Sequence, residues 1–170
     1  MPAGLTYESI ATTTATTASS AVTFSSIPQT YTDLFLVISI RANSTPTSFG
    51  TGIRFNSDTG SNYSRTVVYG SGSSAVSFRD TNQTRMFYSA GSTTANQFNL
   101  IRLNINDYSN TAVYKSVIAR NDDVSDVTSI SASLWRNTNA ITSITITPFD
   151  DNSTGFATGS SFTLYGITAA

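Results

Sequence analysis

Apolar and polar residues alternate with a period of two in several short runs of this chain. In "DLFLVISIR", Leu34, Leu36, Ile38 and Ile40 fall on one side, while Phe35, Val37, Ser39 and Arg41 fall on the other. Successive side chains of a strand point to opposite faces, so such a run is a strand with one buried face. "NLIRLNIND" repeats the pattern, with Ile101, Leu103 and Ile105 set against Leu100, Arg102, Asn104 and Asn106. Shorter runs predict further strands over residues 21–24, 52–55, 66–69, 75–78, 85–88, 112–119, 128–135, 141–147 and 162–167. Between them lie "NSDTGSN", "GSGSS" and "NDYSN", whose Gly, Asn, Asp and Ser residues tolerate or cap the backbone angles of tight turns. No amphipathic helix is predicted.

About ten short strands with regular turns predict an all-β fold with little or no helix: an antiparallel β-sandwich or jelly roll. The 170 residues suit one domain, able to bury roughly 70% of the surface that the unfolded chain exposes. Residues 1–170 are therefore expected to form a single jelly-roll domain. "ATTTATTASS" at 11–20 carries no large side chain; the first twenty residues stay open between a strand and an extended N-terminal arm. "SSAVTF" at 19–24 echoes "SSAVSF" at 73–78, a chance match in so biased a composition. At the other end "SSFTLYGI" reads as a final strand, with Phe162 and Leu164 on one face and Tyr165 and Ile167 on the other. It is expected to cover a sheet edge and to pair with "AITSITI" at 140–146.

Composition sharpens the picture. Roughly a third of the residues are Ser or Thr, far above average usage, and Thr and aromatic residues favour strands, whereas the helix formers Glu and Lys are almost missing. Cysteine and histidine are absent, which removes disulfides, thiolate chemistry, the commonest general base and the commonest zinc ligand. Lys115 is the single lysine, the eight arginines are spread from Arg41 to Arg136, and the net charge is −1. No basic field exists to attract nucleic acid. The longest apolar run, residues 34–38, is far short of a membrane span, and residues 1–20 lack the basic start and apolar middle of a signal peptide.

Candidate chemistry is sparse. Asn56, Asp58, Gly60 and Asn62 alternate like the start of a calcium loop, but the bidentate acid such a loop needs at its twelfth position falls on Val67; the stretch reads as a hairpin turn. Asp122, Asp123 and Asp126, then Asp150 and Asp151, offer carboxylates in the manner of a glycosidase pair, yet they sit beside Asn and Ser where Asp serves turns. No histidine can activate a serine, and no Gly-x-Ser-x-Gly elbow occurs. Asn43, Asn62, Asn82 and Asn152 match the N-glycosylation triplet, but about four such matches are expected by chance in this composition. No catalytic, cofactor-binding or metal-binding residue is assigned, and no enzyme activity is expected. Eighteen Phe and Tyr residues and Trp135 are read mainly as core, although exposed aromatics beside amides also suit sugar stacking or subunit contact.

Taken in order, "YESIATTT" at 7–14, "VTFSSIPQTYTDLFLVISIR" at 22–41, "IRFNSDTGSNYS" at 53–64, "INDYSNTAVYKS" at 105–116, "AITSITI" at 140–146 and "GSSFTLYGI" at 159–167 resemble a family of short virion proteins of tailed bacteriophages. The resemblance implies a structural component of the particle with a jelly-roll fold and no catalytic residues; residues 70–95 fit the pattern poorly. Within these pieces Pro28 suits a turn between strands, Tyr31 stands where a corner aromatic bonds a backbone group, and the polar residues around Tyr108 close a hairpin.

The role expected from the resemblance is capsid decoration or cementing, on the outer surface of the major capsid protein shell, with multivalent contacts and a homotrimeric assembly by analogy with viral jelly rolls. The protein would be made in the host cytoplasm and end on the capsid exterior. The alternative is a tail or fibre module that recognises host-surface glycan through loop aromatics and amides. A glycan-degrading enzyme using Asp150 and Asp151 is the third reading.

Overall fold

The computed structural model describes residues 6–43, 49–89, 96–122, 127–150 and 155–168. Their order is β1 (Tyr7–Thr14), β2 (Val22–Phe24), β3 (Asp33–Ile40), β4 (Phe49–Phe55), β5 (Tyr63–Gly70), β6 (Ala75–Gln83), β7 (Met86–Ser89), β8 (Asn99–Ile105), β9 (Lys115–Asp122), β10 (Thr128–Trp135), β11 (Ile144–Asp150) and β12 (Ser161–Ile167). No helix occurs among the described residues, and so none is long and apolar enough to cross a membrane. One sheet has eight strands in the order β1-β12-β3-β8-β9-β10-β5-β6, and the other has four in the order β2-β11-β4-β7. Every pairing is antiparallel.

Setting aside β5, β6, β9 and β10 leaves eight strands paired first with last: β1 with β12, β2 with β11, β3 with β8 and β4 with β7. Successive strands alternate between the sheets up to β4, which is the jelly roll expected from the sequence. The four additional strands all lengthen one sheet beyond β8. That sheet is twice as wide as its partner, and β5 and β6 overhang it.

The core lies where the two sheets face each other. Leu34, Leu36, Ile38 and Ile40 of β3 are all fully buried, as are Ile101, Leu103 and Ile105 of β8, so the period-two reading holds for both strands. Across from them lie Ile53 and Phe55 of β4 and Ile144 and Ile146 of β11. Each such side chain contributes roughly 1.5–3 kcal/mol by leaving water. Trp135 is buried in the same core, stacked on Tyr63 at 6.3 Å and set edge-on to Phe55 at 5.5 Å.

Three local expectations require correction. β12 does not cover an edge: it lies between β1 and β3, and the "AITSITI" segment enters the opposite sheet as β11. Tyr7–Thr14 forms the edge strand, its register shifted by an irregularity between Ser9 and Ala11; such bulges and short polar side chains discourage further pairing. Secondly, β11 starts at Ile144 and not at residue 141, because the preceding residues are tied to Asn56. The Asn56 side chain donates to the Ala140 carbonyl and accepts from the Thr142 and Ser143 amides. Thirdly, Tyr31 is not the corner aromatic. That part belongs to Tyr108, whose hydroxyl donates to the Pro28 carbonyl and accepts from the Tyr31 amide. The Tyr31 ring instead lies flat over Gly166, where a Cβ would collide with it; this close approach accounts for the glycine in "LYGI".

The β8–β9 hairpin also departs from expectation, since β9 begins at Lys115 and not at residue 112. Asp33 accepts from the Asp107 amide, and Asn110 closes the turn on Asp107. Lys115 is fully buried, and its Nζ donates to the carbonyls of Asn110, Val113 and Thr138. Residues 111–114 are thereby wrapped around an ammonium group instead of entering the ladder. Burial pulls the Lys115 pKa below its ordinary value, opposed by the nearby Asp107 carboxylate.

Candidate functional site

The overhang brings together side chains that are distant in sequence. Along β5, Tyr63, Arg65, Val67 and Tyr69 face the smaller sheet, and β6 adds Asp80, Phe78 and Val76 opposite Arg65, Val67 and Tyr69. β7 is the outermost strand of the smaller sheet, so one side of its backbone is free to meet the overhang. Arg65 fills that junction. It pairs with Asp80 at 2.7 Å, its guanidinium lies 5.1 Å from the Phe78 ring centroid and 4.9 Å from that of Phe87, and its Nη1 donates to the Phe87 carbonyl. The arginine therefore caps an edge carbonyl of β7 and holds two aromatic rings in place.

On the outer side of β7, Phe87 packs edge-on against Phe149 at 4.5 Å, and Arg85 lies 5.2 Å over Phe149. Gly50 and Gly52 of β4 provide the room. A Cβ at Gly50 would lie 2.5 Å from the Phe87 ring, and one at Gly52 would lie 2.6 Å from Arg85 Cδ. Desolvation and the neighbouring Arg54 charge lower the Arg85 pKa.

Two of the hollows that Arg65 lines are also lined by Phe87 of β7. One, of about 260 Å³, opens between the overhang and β7, with Val67, Tyr69 and Phe78 on one wall, Phe87 and Tyr88 on the other, and Ser129 and Ser131 at the base. The second, of about 440 Å³, is lined by Asp80, Gln83, Arg85 and Phe149. In the first, Ser129 donates to Asn121, whereas the Ser131 hydroxyl is buried without a hydrogen-bond partner. Tyr88 is engaged with Ser133 at 3.2 Å, and burial pushes its pKa up to about 12.

The sequence candidates lie elsewhere and serve structure. Asp58 accepts from the Gly60 amide at 2.8 Å, the Asn62 amide group at 2.8 Å and Trp135 Nε1 at 2.7 Å. Partial desolvation would raise its pKa, but the hydrogen bonds from Asn62, Trp135, Gly60 and Asn137 outweigh it and hold the carboxyl below its usual range. The stretch read as a hairpin turn is a turn, with Asn56 and Ser57 at positive φ, but it closes no hairpin: it carries the chain from β4 in the smaller sheet to β5 in the wider one. Asp122 is paired with Arg102 at 2.9 Å and Arg120 at 3.1 Å; the Arg120 hydrogen bond chiefly lowers its pKa, with desolvation opposing and Arg102 assisting. A carboxylate so held is a poor proton donor near neutrality. Asp123, Asp126 and Asp151 lie outside the described residues, and Asp150 ends β11, in the other sheet from Asp122. Of the glycosylation triplets, Asn62 is bonded to Asp58, Asn82 accepts from Arg136, and Asn152 lies outside the described residues. Asn43 donates its amide to Gly155. No group of three or more metal-ligating side chains occurs among the described residues.

The residues that do converge, Arg65, Phe78, Phe87 and Phe149, were not singled out by sequence. They lie on four strands drawn from both sheets, and no spacing along the chain announces them. The faint signal was the poor fit of residues 70–95 to the virion-protein pattern, since β6 and β7 come from that region.

No protein-family model and no curated protein matches the chain. Among solved structures, a mutant of the alginate lyase Aly36B in complex with an alginate tetrasaccharide is similar at 14% identity, with a TM-score of 0.34, over 81% of this chain and 68% of that one. So loose a superposition carries no conclusion about shared fold or chemistry.

Proposed function

We propose that this chain is a structural component of a tailed-bacteriophage particle, a decoration protein that docks on the outer surface of the major capsid shell. The observation that supports this reading best is the outer face of the wider sheet. Val68 and Ile130 are direct cross-strand partners, 51% and 53% exposed, and Ile118 lies diagonally beside them at 44%. Side chains of this size normally turn inward, and a contiguous group on a sheet face suits contact with another protein. The ionisable groups point the same way. Asp58, Asp33, Asp80, Asp122 and Lys115 each hold a turn, a hairpin or an ion pair within the fold. The rest of the described surface is rich in hydroxyls, with Glu8, Arg79, Asp107 and Arg120 as its exposed charged side chains, a surface suited to many modest contacts on a lattice.

The test is binding to emptied capsid shells. The wild-type protein is expected to cosediment saturably, and a Val68→Asp/Ile130→Asp variant is expected to stay in the supernatant while remaining folded. Both positions are exposed, so the substitutions leave the core untouched. Equal cosedimentation of the two proteins would refute the docking face, and no cosedimentation of wild type would refute the role.

A further inference from the structure

We propose that the hollow between the overhanging β5–β6 pair and the β7 edge binds a single neutral pyranose ring of a glycan. The inference goes beyond the docking role and uses another part of the molecule, since Val68, Ile118 and Ile130 lie on the opposite face of the same sheet. The hollow measures about 260 Å³, just under the usual range for ligand pockets of about 300–1,000 Å³, which suits one ring and not an oligosaccharide.

Its walls supply what the C–H faces of a sugar need. Tyr69 and Phe78 meet edge-on at 6.3 Å, and Phe87 stands across from them. Arg65 lies over both phenylalanine rings, so these surfaces are held in place before a ligand arrives, which reduces the ordering that binding would require. The base supplies the polar part. The Ser131 hydroxyl is buried without a partner, an arrangement that a folded protein rarely tolerates without a use. Ser131 lines the hollow, and a ligand hydroxyl there can both donate to and accept from its hydroxyl.

Charge and backbone chemistry narrow the occupant. Asp80 balances Arg65, so the hollow offers no net charge to an uronate or a phosphate, and a neutral sugar fits better. An extended peptide adding to β7 would need the Phe87 carbonyl, which Arg65 already occupies.

The experiment is a titration of the ¹⁵N-labelled protein, followed by amide chemical shifts, with four probes used separately: methyl β-D-glucopyranoside, methyl α-D-mannopyranoside, methyl β-D-galactopyranoside and methyl N-acetyl-β-D-glucosaminide. At least one is expected to bind with a millimolar Kd, shifting Tyr69, Phe78, Phe87, Ser129 and Ser131. Ser131→Ala, which removes the hydroxyl and adds no bulk, is expected to weaken binding roughly tenfold or more. Phe78→Ala, on an exposed strand, is expected to abolish it, and Ser77→Ala on the opposite face should leave it unchanged. Dispersed amide spectra verify that the variants are folded. Absence of shifts with all four glycosides would overturn the proposal, as would shifts that persist in both Ser131→Ala and Phe78→Ala. Shifts at the hollow from indole but from none of the glycosides would assign it to a partner's aromatic anchor, and so would also overturn it.

Discussion

Replacing Lys115 with Met tests how far the chain depends on its single lysine. The substitution keeps an unbranched stem of similar length and deletes the ammonium, leaving the carbonyls of Asn110, Val113 and Thr138 without their shared donor. A buried carbonyl deprived of its partner costs about 1–3 kcal/mol, while the variant no longer has to strip an ammonium of its water, which offsets part of the loss. Residues 110–114 and Thr138 are exposed, so water recovers some of the hydrogen bonding. The net expectation is a loss of about 2–4 kcal/mol, and because 1 kcal/mol shifts Tm by about 2–4 °C at this chain length, Tm falls by about 5–15 °C. Urea unfolding followed by the fluorescence of Trp135 measures the change, with the slope against denaturant expected to stay constant. A variant within about 0.5 kcal/mol of wild type, the usual span for surface changes, would refute the reasoning. It would mean that the carbonyl cage is a consequence of the hairpin and not its cause.

Other outcomes follow from the same contacts. Asp58→Ala removes the acceptor of Trp135 Nε1 and of two turn donors; it is expected to destabilise by about 2–4 kcal/mol and to shift the emission of the native protein, whereas unchanged emission would contradict the hydrogen bond. Tyr108→Phe, which strips the hydroxyl from Pro28 and Tyr31, is expected to lower Tm clearly, while Tyr31→Phe should leave it near wild type. Equal effects would undo the assignment of the corner. In acid, Asp58 and Asp122 have folded pKa values below the ordinary 3.8 of a carboxyl, so their contribution is present above that pH and is lost as pH falls through the folded values. In base, Tyr88 ionises at about 12 when folded against 10.0 when unfolded, so its contribution is intact below pH 10 and is lost as pH climbs towards 12. Urea midpoints across pH 2 to 12 check both slopes, and a midpoint that rises between pH 10 and 12 would contradict the second.

Much of the fold was legible because its central strands are two-faced. β3, β8 and β12 alternate large apolar with polar or partly exposed residues, and an alternation with one buried face has few other solutions. β1 was harder. "YESIATTT" buries little, and what places it is a ladder to β12 that no local pattern encodes. The displaced starts of β9 and β11 share a cause: in each, a side chain binds backbone carbonyls or amides just upstream, Lys115 in one and Asn56 in the other, removing apparently strand-like residues from the ladder. Hidden most thoroughly was the Arg65 cluster. It depends on how far β5 and β6 reach past β7, which is set by the number of strands on each sheet and not by any residue within the cluster.

The central claim, that this sandwich serves by coating a shell in many copies, is tested most directly by counting. Purified virions of a phage encoding the chain would be resolved on a stained gel and the band quantified against the major capsid protein. The account predicts hundreds of copies per particle, in fixed ratio to the shell. A handful of copies would place the protein at a tail or fibre and contradict it, as would complete absence from the particle.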